Sequence, residues 1–378
     1  MRRIPLPVPR GEYAVGTTTF TVYDDREETM YCAPGGRRRV PARIWYPADR
    51  ASAEALPRTR HMSEEMTKAL ARTFFLPIRY ETIEKDGRNR SACHTDAPFI
   101  EGRRFPAIFF SHGYLSFREG NSYLCIELAS RGYVVISVGH PYEALLTEFD
   151  DGTGVRGAKH VASRLYSPPV QGMAALLKFM KETGTNEALA ARFDALQKRY
   201  CRFSIERVAE WEKDTLAALK YAKERFSHII DFDCGVGAAG HSMGGAAAYA
   251  LCQDEPEFVC GVNMDGAPFG DHGGKTLRTP FLQLNCEANR TSAARVFLRH
   301  TQPVYHAVVR DMQHLGFSDM KHFISMPSQV GKLDPNAAHD AVCGIYGAFF
   351  DAYLKKTGET PGFDGGGPAT ITAYAPDA

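Results

Sequence analysis

Two apolar runs constrain the fold more than any other feature of the chain: FPAIFFSHG, from Phe105 to Gly113, and GYVVISVGHP, from Gly132 to Pro141. Each is strand-sized, rich in β-branched and aromatic residues, and lacks polar alternation, as expected of a strand buried on both faces. The segment between them predicts a helix from about Ser122 to Arg131. Strand, helix and strand at that spacing make a βαβ unit, which implies a parallel sheet.

The same signal recurs downstream. CGVGAAGHS, EFVCGVNMDG, TPFLQLNCE and YHAVVRD read as further strands, and a terminal helix fits Ala338 to Lys356. Near the start, Thr17 to Tyr23 and Arg39 to Tyr46 read as an antiparallel pair. Residues 50–98 are polar, carry Pro57 and Pro77, and read as an excursion over the surface with one apolar helical patch around Met66 to Phe75. Residues 166–228 read as a helical insertion or lid. In the last helix of that insertion Ile205, Val208, Trp211, Leu216, Leu219 and Phe226 share a face, with Glu206, Glu210, Lys213, Lys220 and Glu224 opposite. The Gly-rich residues 362–378 read as a loose C-terminal tail.

Composition narrows the classes of function. A chain of 378 residues, 44% hydrophobic and 24% charged, can bury a large core as a single α/β domain over residues 1–378. A formal charge of +1 gives no general attraction to nucleic acid or anionic membranes. The one basic run, Arg37-Arg38-Arg39, reads as a solvated turn before a strand. No apolar segment is long enough for a signal peptide or a membrane span, so the expectation is a cytoplasmic protein without stable membrane insertion. Nine cysteines without CxxC spacing or Cys/His clustering fit free thiols better than a disulfide framework or a metal site.

Into this order of elements falls GHSMGG, Gly240 to Gly245, at the end of a buried strand and before the small residues Ala246-Ala247-Ala248. A serine between glycines two residues away on each side, at a strand-to-helix turn, is the nucleophile elbow of an α/β-hydrolase. The expected fold is therefore a mostly parallel sheet flanked by helices, with the helical insertion before the nucleophile strand.

A serine hydroxyl is a weak nucleophile at neutral pH and needs a base and a group to orient that base. Among the downstream histidines, His272, His300, His306, His314, His322 and His339, His314 meets the condition for the base, a loop just after the last predicted sheet strand and before the final helix. His306 lies within that strand and His339 at the helix start. For the acid, Asp265 follows the strand after the nucleophile helix and Glu287 ends the next one. Position alone slightly favours Glu287, and Asp271 and Asp319 are weaker candidates.

The blocks GEYAVG, RIWYPA, FFSHGY, LASRGYVVISVGHPYEA, GHSMGG, VNMDGAP and QHLGFSD resemble, in order, the platelet-activating-factor acetylhydrolase-like branch of the α/β-hydrolases, from about residue 12 to 355. RIWYPA and HPYEA with FDDG are more diagnostic than the elbow. The resemblance implies Asp265 as the acid, with Glu287 in reserve. It also implies an oxyanion hole from the backbone N–H groups of Met243 and Tyr114. His112 and His241, beside these positions, read as structural residues that fix turns through hydrogen bonds.

The chemistry expected of these residues is ester hydrolysis through a serine acyl-enzyme, with Ser242, His314 and Asp265 as the triad and no metal or organic cofactor. The resemblance implies a small-molecule or lipid ester with a short or truncated acyl group, and the charge of +1 argues against a nucleic-acid partner. Two other classes fit the same residues: another hydrolase of this fold (polyester hydrolase, lipase or amidase), and a catalytically silent hydrolase scaffold.

Overall fold

The computed structural model describes residues 6–30, 36–157, 164–364 and 367–376. Among the described residues thirteen strands are formed: β1 Ala14–Glu27, β2 Arg37–Ala48, β3 Arg58–Arg60, β4 Arg90–Thr95, β5 Ala107–Ser111, β6 Val134–Val138, β7 Leu146–Glu148, β8 Gly154–Arg156, β9 Val236–His241, β10 Phe258–Met264, β11 Phe281–Cys286, β12 Val304–Val309 and β13 Ala369–Tyr374. Eleven of them make one sheet in the order β13-β12-β11-β10-β9-β5-β6-β2-β1-β4-β3, and β7 pairs with β8 apart from it. The block from β12 to β6 is parallel throughout. β2 joins it antiparallel to β6, and β1 runs antiparallel to β2.

The side-chain period of a strand explains the three layers. Ala107 and Phe109 face one side, where the helices Arg202–Arg225 and Met243–Asp254 bring Ala218, Leu219, Ala222, Ala248, Tyr249 and Leu251. Ile108 and Phe110 face the other, against the helices Ser122–Ser130 and Pro335–Tyr353. Every residue of β5, β6, β9 and β11 is buried, which is why these strands read as unbroken apolar runs. A Phe buried as completely as Phe109, 1% exposed, contributes on the order of 1.5–3 kcal/mol.

Four expectations are corrected. Residues 369–374 are not a loose tail: TITAY alternates, and β13 pairs antiparallel with β12 from Val304↔Tyr374 to Val309↔Ala369, covering the sheet edge. His314 consequently does not follow the last strand of the sheet. Residues 50–98 are more than a surface excursion, because β3 and β4 extend the sheet and Met66, Ala69 and Leu70 of the helix Glu64–Thr73 are buried. Arg37-Arg38-Arg39 is not a solvated turn; it opens β2, and the pleat turns Arg38 inward to 1% exposure while Arg37 stays outside.

The helices Pro169–Phe179, Asn186–Tyr200 and Arg202–Arg225 precede β9. Residues 158–163, which lead into them, lie outside the described residues, as do 365–366 and 377–378 of the C-terminal segment. Val208, Trp211 and Leu219 of the expected stripe are buried, but so are Arg207 and Asp214, which that stripe did not include.

Candidate active site

Successive parallel strands end at one edge of the sheet, and the residues just beyond those ends converge there. Ser242 follows β9 and stands at φ 58°, ψ −120°, a left-handed backbone position for a residue with a Cβ. The strain is held by packing on both sides of the turn. A Cβ on Gly240 would overlap the Gly244 carbonyl, and one on Gly244 would overlap the Ser111 carbonyl at the end of β5. Gly244→Ala is accordingly expected to cost at least the upper end of roughly 1–3 kcal/mol for overpacking. A chemical denaturation midpoint equal to the parent's would refute it.

Asp265 lies one residue beyond β10, also at a positive φ of 59°. Asn263 fixes that bend by accepting the Gly266 N–H and donating to the Gly266 carbonyl, each at 3.0 Å. The Asp265 carboxylate is buried and heavily solvated by protein donors. Oδ1 accepts the Cys286 N–H at 2.8 Å and Asn285 Nδ2 at 3.2 Å, and Oδ2 accepts Asn289 Nδ2 at 2.6 Å. The Cys286 thiol, kept protonated by burial and by the adjacent carboxylate, donates to Oδ2 at 3.4 Å.

His314, beyond β12, connects the two. Its Nδ1–H donates to Asp265 Oδ2 at 2.7 Å, and its Nε2 lies 3.0 Å from Ser242 Oγ, from which it accepts. The imidazole is 40% exposed and the carboxylate 0%, so the line runs from the interior to an accessible hydroxyl. Hydroxyl, imidazole and carboxylate in this order can withdraw the hydroxyl proton as the oxygen attacks a carbonyl.

Glu287 does not join this group. It is exposed in the first turn of the 3-10 segment Glu287–Phe297, while the Cys286 backbone beside it is bonded to Asp265. Asp319 is buried elsewhere and accepts the Tyr123 N–H. His241 Nε2–H donates to the His314 carbonyl at 3.1 Å, and burial pushes its imidazole down to about 3. His112 Nδ1–H donates to the Gly113 carbonyl at 2.7 Å, and burial likewise lowers its ring to about 3. Both are neutral turn-fixing residues.

Met243 opens the helix Met243–Asp254, so its N–H has no intrahelical acceptor and points out of the helix start. Tyr114 follows β5 across the elbow, and its ring lies near that of Trp211. Tyr114 and Ser242 line a cavity of about 130 Å³ together with Leu70, Phe74, Leu76, Phe117, Met320 and Ile324. Sequence reasoning named none of these six as part of the site, and the first three come from the segment read as a surface excursion. It missed Asn285, Cys286 and Asn289 too, although NCEAN adjoins the residue weighed as an alternative acid. A larger cavity of about 900 Å³ beside the N-terminal segment shares no lining residue with the Ser242 cavity. Among the described residues no group of three His, Cys, Asp or Glu side chains could hold a metal ion, and no helix is long and apolar enough to cross a membrane.

A platelet-activating factor acetylhydrolase from Cavia porcellus is 24% identical over 366 residues, which cover 92% of this chain and 78% of that protein. The one from Gallus gallus is 24% identical over 69% of this chain and 65% of its own length. The solved structure of a ferulic acid esterase from Streptomyces cinnamoneus superposes with a TM-score of 0.68 over 97% of this chain and 98% of that one, at 20% identity, a likeness of fold. The sequence model of the family described as platelet-activating factor acetylhydrolase, isoform II, matches residues 2–356. The chain belongs to that family, and its sheet is that of an α/β-hydrolase.

Proposed function

We propose that the protein hydrolyses carboxylic esters of short or truncated acyl chains, with Ser242 as nucleophile, His314 as general base and acid, and Asp265 as the orienting carboxylate. Ester hydrolysis by a serine hydrolase is what family and fold support. The observation that carries the assignment of residues is the unbroken line from Asp265 Oδ2 through His314 to Ser242 Oγ, at 2.7 and 3.0 Å, opening into an apolar cavity.

In this reading Ser242 Oγ attacks the ester carbonyl while its proton passes to His314 Nε2. The N–H groups of Met243 and Tyr114 receive the oxyanion, each donor of this kind being worth roughly 3 kcal/mol in the transition state. Collapse expels the alcohol, which takes the proton from His314. Water then gives its proton to His314 and attacks the acyl-enzyme, releasing the acid and regenerating Ser242.

The cavity supports the short acyl group, since about 130 Å³ is small beside the roughly 300–1,000 Å³ of pockets that enclose drug-sized ligands. Leu70, Phe74 and Leu76 form its apolar wall. The eight cysteines among the described residues are all free thiols, seven of them buried, which supports a reducing, cytoplasmic compartment.

The test is initial-rate hydrolysis of p-nitrophenyl esters from acetate to palmitate, with fluorophosphonate labelling of the same preparation. Short-chain preference with labelling at Ser242 is the expected result; a palmitate optimum, or labelling elsewhere, would sink the reading. Phe74→Ala is expected to move the optimum from acetate or butyrate towards octanoate. Each further buried methylene is worth about 0.8 kcal/mol, roughly fourfold in kcat/KM. An unchanged chain-length profile would remove Phe74 from the acyl wall.

A further inference from the structure

Behind the oxyanion loop the fold builds a second serine–histidine–aspartate line. Ser111 Oγ lies 3.3 Å from His140 Nε2, and His140 Nδ1 lies 2.9 Å from Asp214 Oδ2. Unlike the line at Ser242, no part of it is accessible: Ser111 is 3% exposed and His140 and Asp214 are 0%. It is therefore no second catalytic centre, and its chemistry must act through its neighbours.

Those neighbours are the loops after β5 and β6. The His140 N–H donates to His112 Nε2 at 3.3 Å, the Leu115 N–H to the Glu143 carbonyl at 3.0 Å, and the Leu145 N–H to the Ser116 carbonyl at 2.9 Å. Residues 111–116, which include the Tyr114 amide, are thus pinned along residues 140–145. Those residues are anchored in turn to the helix Arg202–Arg225 and to β2. Arg207 grips the Glu143 carboxylate with two bonds of 2.8 Å. Arg38 holds both oxygens of Asp214, at 3.0 and 2.5 Å, and donates to Glu28 at 2.8 Å. Arg26 adds a third guanidinium at 2.8 Å from Asp214. Trp211 closes the stack, parallel to the His140 ring at 3.8 Å.

We propose that Asp214 and His140, fixed by Arg38, are positioning residues that, together with the Arg207–Glu143 pair, hold the Ser111–Leu115 loop where its amide meets the substrate oxyanion. Buried ion pairs are a weak source of stability, because desolvation of both partners offsets their attraction. Their strength is directional: a bidentate guanidinium–carboxylate pair tolerates little movement. An oxyanion donor needs that, since a displacement of about 1 Å can cost about 10²-fold in rate. Burial pushes the His140 ring down to about 4 although Asp214 faces it, so the ring is neutral at pH 7. It donates through Nδ1 to Asp214 and accepts the Ser111 hydroxyl at Nε2. The last helix of the 166–228 insertion is, on this account, a buttress of the site.

The catalytic part of the proposal rests on the ester-hydrolase reading; the ordering of the loop does not. The experiment therefore measures both, on the full chain, for Asp214→Asn and the milder Ser111→Ala. Asp214→Asn is expected to lower kcat by about 30- to 100-fold with KM within threefold, the size of a misplaced donor. Ser111→Ala is expected to lower it by severalfold in the same pattern. In both variants hydrogen exchange at the amides of residues 113–117 should quicken at least about tenfold, while that of the His314 loop stays at the parent's rate. A folded variant with kcat within twofold of the parent, or with unaltered exchange at 113–117 and only a lower melting temperature, overturns the proposal. If the parent itself turns over no ester, the hydrolase reading falls, and the exchange rates still decide whether the network holds the loop.

Discussion

Ser242→Ala is expected to reduce kcat on p-nitrophenyl acetate by about 10⁵- to 10⁶-fold, the loss seen when the nucleophile of a serine triad is removed. The substitution deletes one atom, the Oγ that lies 3.0 Å from His314 Nε2. It keeps a Cβ, so the strained φ of 58° is no harder for alanine than for serine, and the elbow keeps its packing. Ser242 N–H still donates to the Met264 carbonyl at 2.8 Å. The melting temperature should therefore stay within a few degrees of the parent's, and a loss of rate in a folded protein is a loss of chemistry. A small residual rate over water, from the amides of Met243 and Tyr114, is part of the expectation. Retention of a tenth of the parent's rate would mean that another group attacks the ester. Ser111, set against His140 and Asp214, and Ser91, set against His61 and Asp319, are both sealed in the core and are no candidates for that role.

The legibility of this site in the sequence depends on the range of the interactions that build it. GHSMGG was readable because the elbow is a local object: strand, tight turn and helix follow one another without a break from Val236 to Asp254. β5, β6 and β9 to β12 were readable because a strand buried on both faces needs no knowledge of its partners. Position alone could not decide between Asp265 and Glu287; the family resemblance was needed. Which carboxylate reaches His314 depends on the bend at Asp265 and on donors 20 to 24 residues away in Asn285, Cys286 and Asn289. Arg38 and Asp214 lay beyond reach altogether. They are 176 residues apart, and a charged residue on an apolar helix face reads as a solvated edge until its partner is known. Leu70, Phe74 and Leu76 were hidden for a related reason, because a polar, proline-bearing segment gave no sign that its one apolar patch closes over the catalytic edge.

The second large effect concerns the acid, and it separates Asp265 from Glu287 by experiment. Asp265→Asn is expected to lower kcat by about 10⁴-fold at pH 7, with Glu287→Gln left within twofold of the parent. The carboxylate now accepts from five groups, two on Oδ1 and three on Oδ2. An amide offers one acceptor oxygen in their place. If that oxygen stays with the Cys286 N–H and Asn285, the new NH₂ faces Asn289 and His314 Nδ1. The imidazole must then present a lone pair at Nδ1 and carry its proton on Nε2, where it can no longer take the proton of Ser242. Turning the amide over restores the His314 bond but sets NH₂ against the buried Cys286 N–H, which leaves a donor without an acceptor at a cost of about 1–3 kcal/mol. The two costs compete, so the variant should be both slower and less stable, and its rate must be measured well below its melting temperature. Fluorophosphonate labelling of Ser242 should slow in parallel with ester turnover, because both need the hydroxyl proton removed. If Asp265→Asn keeps a tenth of the parent's kcat while Glu287→Gln loses most of it, the imidazole is oriented from β11, and the line traced from Asp265 is a resting arrangement with no part in the reaction.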